Sequence, residues 1–145
     1  MSKMSLAEEL QLIKDCSEHI PVDVFGLAVE LGLNPSAEDM NDNVCGLIRR
    51  VGVDQFQVAF NRNHPRVRQR FTIAHEIGHY MFHRDLLGEG VGDTVAYRDD
   101  GSGLTNSRIG LEEERQANAF AANLLMPNAL IKRLREQGIR DPSQM

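Results

Sequence analysis

Two histidines four residues apart, His75 and His79, constrain the fold more than any other feature of the chain. In an α-helix these two side chains lie one turn apart on the same face, so their imidazoles can converge on one point. The surrounding pattern predicts a helix over residues 67–83, because apolar and polar side chains separate when wound at about 100° per residue. The apolar side holds Ile73, Ile77, Tyr80 and Met81, and the opposite side holds Thr72, His75, Glu76, His79 and His83.

The same helix carries the pattern His-Glu-x-x-His, which is typical of zinc hydrolases. Two imidazoles so placed can bind one zinc ion at about 2.0–2.1 Å. Glu76 is rotated by about 100° from His75 around the helix axis, so its carboxylate lies beside the ion. From there it can hold the attacking water and take its proton. Gly78 destabilises the interior of a helix by about 1 kcal/mol relative to alanine. A glycine at this position therefore indicates close approach by another backbone.

A catalytic zinc site needs a third protein ligand. His83 lies about 12 Å from His75 along the helix axis, which is too far for one ion to bind both. We interpret His83 as a surface histidine rather than as a group that contacts a ligand or substrate. Asp85 is disfavoured as the third ligand, because Phe82 stands where a glycine would be needed to turn the chain back.

An acidic cluster at residues 112–114, which opens a helix predicted from residue 111, supplies the remaining candidates. Glu113 and Glu114 both lie within about 50° of the centre of that helix's apolar stripe, whereas Glu112 points away. A carboxylate against an apolar face needs a partner, and a zinc ion is such a partner. An acidic first turn is also favoured by the helix dipole alone. Periodicity does not choose between Glu113 and Glu114.

The chain length of 145 residues predicts a single domain. The N-terminal helix is predicted to bury Leu6, Leu10 and Ile13, with Glu9 among its polar residues. The predicted segments are N-terminal helices within 1–35, a hairpin over 44–60, the helix over 67–83, a glycine-rich loop over 85–110 and C-terminal helices over 111–137.

Composition excludes several classes of protein. The net charge of −5 disfavours binding to nucleic acid through a basic surface. No run of about 20 apolar residues is present to span a membrane. The N-terminus lacks the apolar region of a secretory signal, which predicts a cytoplasmic protein with reduced cysteines. A local cluster of arginines (Arg62, Arg66, Arg68 and Arg70, with His64 among them) is interpreted as a solvated turn, with a docking patch for an acidic partner as the alternative.

Two segments together resemble the ImmA/IrrE family of zinc metallopeptidases. They are RFTIAHEIGHY, which begins at Arg70, and ERQANAFAANLLMP, which begins at Glu114. The similarity covers about residues 10–130 and includes Pro21-Val22-Asp23 and the hairpin before the zinc helix. The stretch of 34 residues between His79 and Glu114 is long and glycine-rich for the family.

The resemblance implies an α+β, zincin-like domain of the gluzincin type, with a small β-sheet packed on the HExxH helix and additional helices. It also selects Glu114, with His75 and His79, as the ligands of one Zn²⁺ ion per chain, with Mn²⁺ as the alternative metal. Glu76 is then the catalytic residue. Asn118 lies on the same helix face as Glu114, as a partner behind the metal ligands.

The resemblance further implies a metalloendopeptidase whose substrate is a helix-turn-helix transcriptional repressor, so that cleavage derepresses a mobile element or a stress regulon. The alternative is a non-catalytic module that sequesters a repressor or an antitoxin. Neither direct nucleic-acid binding nor a membrane is expected, and the oligomeric state is left open. The strand over 55–60 is expected to pair with substrate along its edge, and His83, Tyr97 and Arg98 are the candidates to stabilise the oxyanion.

Overall fold

The computed structural model describes residues 4–17, 22–87, 94–98 and 109–126, with the backbone alone for residues 94–98. The architecture is α+β, as predicted. Four α-helices are described: α1 (Leu6–Ser17), α2 (Val24–Glu30), α3 (Arg66–His83) and α4 (Leu111–Leu125). Four strands are described: β1 (Ser36–Glu38), β2 (Val44–Gly52), β3 (Gln55–Asn61) and β4 (Thr94–Arg98). None of the helices in these ranges is both long and apolar enough to cross a membrane.

The four strands form one sheet in the order β1-β3-β2-β4. β2 and β3 form the predicted hairpin, whose turn places Asp54 at a positive φ of 53°. β1 pairs with β3 in parallel, and β4 pairs with β2 antiparallel. The prediction that residues 55–60 pair with substrate along an edge is therefore wrong, because β3 already has a strand on each side. β1 and β4 are the edges of the described sheet.

Helix α3 lies between the sheet and α4, and it is buried from Thr72 to Tyr80 without interruption. Ile73 and Ile77 pack into the core with no exposed surface. On the α4 side, Gly78 lets the two helices approach closely, as its place in the helix interior predicted. A Cβ at this position would lie 3.2 Å from the Cα of Ala117. This contact brings the polar face of α3 against α4 instead of leaving it in water.

Helix α1 packs differently from the prediction. Leu6 and Leu10 are 58% and 52% exposed, whereas Glu9 is only 2% exposed. Glu9 accepts hydrogen bonds from the Tyr80 hydroxyl at 2.7 Å and from Nη2 of Arg84 at 2.8 Å. Apolar periodicity assumes that charged side chains face water, and here two partners on α3 and the turn after it outweigh that tendency.

The predicted glycine-rich loop over 85–110 contains two regular elements in its described part. A 3-10 turn, Arg84–Leu86, follows α3, and β4 completes the sheet. Residues 88–93 and 99–108 of that segment, and residues 127–137 of the predicted C-terminal helices, lie outside the described residues. In the N-terminal part, α2 begins where Oδ1 of Asp23 accepts a hydrogen bond from the Gly26 amide at 3.0 Å.

Candidate metal centre

Three side chains from α3 and α4 meet in the interior between these helices. Nε2 of His75 lies 3.0 Å from Oε2 of Glu114, and Nε2 of His79 lies 2.8 Å from Oε1 of the same carboxylate. All three residues are at most 3% exposed. The structure therefore brings together the three side chains that the resemblance implied as metal ligands.

The choice among the three glutamates at the start of α4 has a local cause. Oε1 of Glu113 accepts a hydrogen bond from the Gly110 amide at 2.8 Å, so this side chain folds back over the first turn of the helix. Glu112 is exposed and lies 3.9 Å from Arg115. Only Glu114 points inward, because it lies four residues before Asn118 and three before the buried Ala117 on the face that packs against α3.

Nδ1 of His75 and Nδ1 of His79, the ring nitrogens that do not contact Glu114, also have partners. Nδ1 of His75 lies 2.8 Å from Oδ1 of Asn118, which agrees with the place that the resemblance gave Asn118. Nδ1 of His79 lies 2.9 Å from Nδ1 of His83. Nε2 of His83 lies 2.6 Å from Oε1 of Gln116. Such partners fix the tautomer and orientation of ligating histidines.

The interpretation of His83 as a surface histidine is therefore wrong, since it is 4% exposed and packed behind His79. The exclusion of His83 as a third ligand, from its distance to His75 along the helix, stays a prediction. Helical spacing places it one turn beyond His79 on the same face, so a contact between the two rings could have been derived. Gln116, by contrast, gave no signal in the sequence.

Glu76 is fully buried, and neither of its carboxylate oxygens has a hydrogen-bond partner among the described residues. Burial, together with the nearby charge of Glu114, raises the pKa of Glu76 well above its ordinary value. A buried carboxylate without a partner is unfavourable, and native structures keep such a group for a stated reason such as catalysis or a ligand.

The charges of the cluster favour a cation. Burial by itself would raise the pKa of Glu114, but its contacts with the rings of His75 and His79 outweigh burial and lower it to about 2. Burial lowers the pKa of His79 despite its contact with Glu114, and it lowers the pKa of His83 as well. The centre therefore holds the ionised carboxylate of Glu114 close to His79 and His83, whose rings favour the neutral form.

The donor set and its spacing fit a zinc ion. One ligand atom each from His75, Glu76 and His79 lies within 4.8 Å of the others. Zinc bonds of about 2.0–2.1 Å separate tetrahedral ligand atoms by about 3.3 Å. The observed contacts of Glu114 with the two rings, 3.0 and 2.8 Å, are a few tenths of an ångström shorter. Neutral imidazoles and a carboxylate are the ligands that zinc takes in hydrolases.

The other sequence candidates lie elsewhere or are engaged. His83 has a partner at each ring nitrogen, so it is not placed to stabilise an oxyanion. Tyr97 and Arg98 belong to β4, whose side chains lie outside the described part of the chain. The contacts of His83 therefore eliminate it as a candidate to stabilise the oxyanion, and Tyr97 and Arg98 stay predictions.

Two arginines of the cluster and His64 make contacts within the protein, while Arg62, Arg66 and Arg68 remain exposed. Arg66 stacks on the ring of Phe25 at 3.7 Å, and Arg62 donates a hydrogen bond to the carbonyl of Ala37 at 3.2 Å. His64 is buried, and its Nε2 lies 2.9 Å from the carbonyl oxygen of Asp42. These contacts give the residues separate structural roles around the turn into α3.

The fold is that of a small zincin-like domain, with an HExxH helix packed between a sheet and a further helix. A family model described as the IrrE N-terminal-like domain (Peptidase_M78) matches residues 27–143. Because this match covers most of the chain, the protein belongs to that family of metallopeptidases. No curated protein matches the chain significantly.

Proposed function

We propose that this protein is a zinc-dependent endopeptidase, with His75, His79 and Glu114 as the ligands of one zinc ion and Glu76 as the general base. The observation that carries the proposal is the buried carboxylate of Glu76, which has no hydrogen-bond partner among the described residues. It lies beside two ring nitrogens that converge on one carboxylate, and the family supports peptidase chemistry. Manganese is the alternative metal.

The reaction is hydrolysis of an amide bond by water. When bound, zinc would supply a Lewis acid that polarises the scissile carbonyl and acidifies the attacking water. Glu76 holds that water and removes its proton as the carbon–oxygen bond forms. The same carboxyl then gives the proton to the leaving amine as the carbon–nitrogen bond breaks. A raised pKa suits Glu76 to both transfers, because the acid and base forms are then closer in energy at neutral pH.

The proposed substrate is a helix-turn-helix transcriptional repressor in the cytoplasm, whose cleavage derepresses a mobile element or a stress regulon. Resemblance to the ImmA/IrrE family supports this choice. The acidic net charge of −5 is consistent with a protein substrate instead of direct DNA binding. Substrate backbone is proposed to pair with β1 or β4, because these are the open edges of the described sheet.

The Glu76→Gln variant tests this function. Immobilised variant protein captures a partner from a lysate of the source cells, and the captured partner is then exposed to the wild type and its mass is measured. We expect cleavage by the wild type and a loss of about 10²–10⁴-fold in the variant, because the amide cannot accept the proton. Zinc content should be equal in the two proteins.

The control is Glu112→Gln, the same chemical change at an exposed position on α4, which should cleave as the wild type does. A captured repressor that stays intact with zinc-loaded wild type would contradict the peptidase assignment and favour sequestration. Cleavage by zinc-loaded Glu76→Gln at the wild-type rate would contradict the role of Glu76.

A further inference from the structure

The two histidine ligands of the proposed zinc site are oriented by different means. His75 contacts an amide oxygen directly, through Oδ1 of Asn118 at 2.8 Å. His79 reaches an amide oxygen only through another imidazole, because its Nδ1 lies 2.9 Å from Nδ1 of His83. Both amides, Asn118 and Gln116, belong to α4. Helix α4 therefore supplies the proposed third ligand, Glu114, and also the two amide groups, of Asn118 and Gln116, that the histidine rings contact.

A contact between two imidazole Nδ1 atoms restricts the protons of both rings. One nitrogen must donate and the other must accept, since two bare nitrogens repel and two N–H groups clash. A neutral ring that binds a metal through Nε2 carries its proton on Nδ1. Nδ1 of His79 is therefore the donor in the loaded site, and Nδ1 of His83 must accept. The proton of His83 then lies on Nε2.

Gln116 completes this chain of donors and acceptors. Its Oε1 lies 2.6 Å from Nε2 of His83 and accepts the proton placed there. The opposite amide orientation would present an N–H₂ group to Nε2 of His83 and push the His83 proton to Nδ1. Nδ1 of His79 would then have to accept, which leaves the His79 proton on Nε2, where the metal binds.

We propose that His83 and Gln116 are positioning residues that favour the proton of His79 on Nδ1 when zinc is bound, so that Nε2 of His79 binds the metal instead of donating to Glu114. The contacts define a chain from the Gln116 carbonyl oxygen through His83 to His79, and we name it the His83–Gln116 chain. This inference rests on the proposed zinc site, but it does not depend on peptidase activity.

Gln116 offers the cleaner test, because it is exposed on α4 and lines a surface cavity of about 580 Å³. Changes there should leave folding intact. Gln116→Met removes the acceptor and should lower zinc affinity roughly 3–10-fold, at or below the lower end of the range for partners of metal ligands. Gln116→Glu keeps an acceptor and should bind zinc at least as tightly as the wild type. Gln116→Lys presents only donors and should weaken binding most.

Asn123→Lys is the matched control for added charge, since Asn123 lines the same cavity but lies seven residues, about two helical turns, beyond Gln116 on α4. It should bind zinc within about 2-fold of the wild type, because an exposed charge is largely screened at physiological salt. His83→Phe should lower zinc affinity by about 10-fold or more. A misfolded His83→Phe leaves the Gln116 series decisive. Affinity is measured by competition with a chelator of known zinc affinity.

A spectroscopic measurement separates orientation from general packing. In zinc-loaded protein with ¹⁵N-labelled histidines, long-range ¹H–¹⁵N correlations report which ring nitrogen carries the proton. We expect His83 to be protonated at Nε2 and bare at Nδ1. A proton on Nδ1 of His83, or Gln116→Met and Gln116→Lys variants that bind zinc as tightly as the wild type, would overturn the inference.

The possible failures are distinguishable. Zinc binding that depends on Gln116, in a protein that cleaves no partner, would overturn the proposed activity and leave the His83–Gln116 chain standing. Equal zinc affinity in all variants would overturn the chain while the activity stands. A wild-type protein that binds no zinc would overturn both.

Discussion

Two glutamates from other helices are buried against α3, Glu9 from α1 and Glu114 from α4, and their surroundings differ in charge. They are similarly buried, at 2% and 3% exposure. Glu9 contacts a permanent cation, Arg84, and the Tyr80 hydroxyl. Glu114 contacts two histidines, and a second carboxylate, Glu76, is buried beside it. Among the described residues, neither Glu76 nor Glu114 contacts an arginine or a lysine.

This difference separates a structural cluster from a functional one. The charge of Glu9 is balanced within the protein. Burial of the Tyr80 hydroxyl, together with its hydrogen bond to Glu9, raises the pKa of Tyr80 to about 12, which keeps the hydroxyl protonated as a donor. Burial by itself would lower the pKa of Arg84, but the hydrogen bond to Glu9 outweighs it, so the cation stays charged. The centre around Glu114 has excess negative charge and favours a bound cation instead.

Removal of Glu114 should have the largest effect on metal binding. Glu114→Ala deletes a proposed ligand, so we expect zinc affinity to fall by more than the 10–100-fold typical of residues that only support a ligand. Glu113→Ala is the control, because Glu113 folds back on the Gly110 amide. It should keep zinc affinity and lose up to about 1 kcal/mol of stability through the weaker helix start. Chelator competition and urea unfolding measure the two quantities, and a weaker zinc affinity in Glu113→Ala than in Glu114→Ala would reverse our assignment.

Removal of the charge at Glu9 should lower the stability of the protein and leave its zinc affinity unchanged. Glu9→Gln leaves the Arg84 guanidinium without its buried counter-charge, so we expect a loss of about 3 kcal/mol in the free energy of unfolding. This value is at the low end for buried pairs, because the Arg84 side chain keeps 18% of its exposure. Zinc affinity should be unchanged. Glu8→Gln, an exposed change on the same helix, should cost less than about 1 kcal/mol.

The two α1 variants test whether the Glu9 cluster stabilises the fold independently of the proposed zinc site. Urea unfolding of metal-free protein gives the stabilities of Glu9→Gln and Glu8→Gln. If Glu9→Gln were as stable as the wild type, the Glu9 cluster would not be the charge-balanced support that its contacts indicate. A change in zinc affinity in the same variant would mean that the two clusters are coupled through α3.

The smallest effect is expected at Gly78, where α3 and α4 are closest. Gly78→Ala gains about 1 kcal/mol of helix propensity. Its Cβ would also approach the Cα of Ala117 and Cδ1 of Phe120 to 3.2 Å, so α4 must shift by a few tenths of an ångström. We expect a net stability change below about 1 kcal/mol, because the two effects oppose each other. Zinc affinity should fall severalfold because α4 carries Glu114.

The matched change for this test is Ala122→Gly, which alters helix propensity at an exposed position on α4. It should lower stability by about 1 kcal/mol and leave zinc affinity as it is. Thermal unfolding and zinc titration of both variants measure the outcome. Unchanged zinc affinity in Gly78→Ala would show that the metal centre tolerates a displacement of α4.

Helix α3 was predictable from sequence, because its histidine spacing and its apolar periodicity agree. Periodicity narrowed the choice of third ligand to Glu113 and Glu114. It defines a helix face, but it does not predict the hydrogen bond to the Gly110 amide that draws Glu113 away from that face. The burial of Glu9 was missed because its partners, Tyr80 and Arg84, are distant in sequence. The place of β1 in the sheet could not be predicted for a related reason, because its pairing with β3 joins segments that are distant in sequence.

We propose that one zinc ion balances the excess negative charge beside α3, and zinc-dependent thermal unfolding tests this most directly. At zinc concentrations about 1,000 times the dissociation constant, binding adds about 4 kcal/mol to wild-type stability. We expect zinc to raise the Tm of the wild type with one zinc bound per chain. Glu9→Gln should show a similar rise from a lower Tm in the metal-free protein, and Glu114→Ala should show almost none. A wild type that gains no stability from zinc, or a Glu114→Ala variant that gains as much, would contradict this proposal.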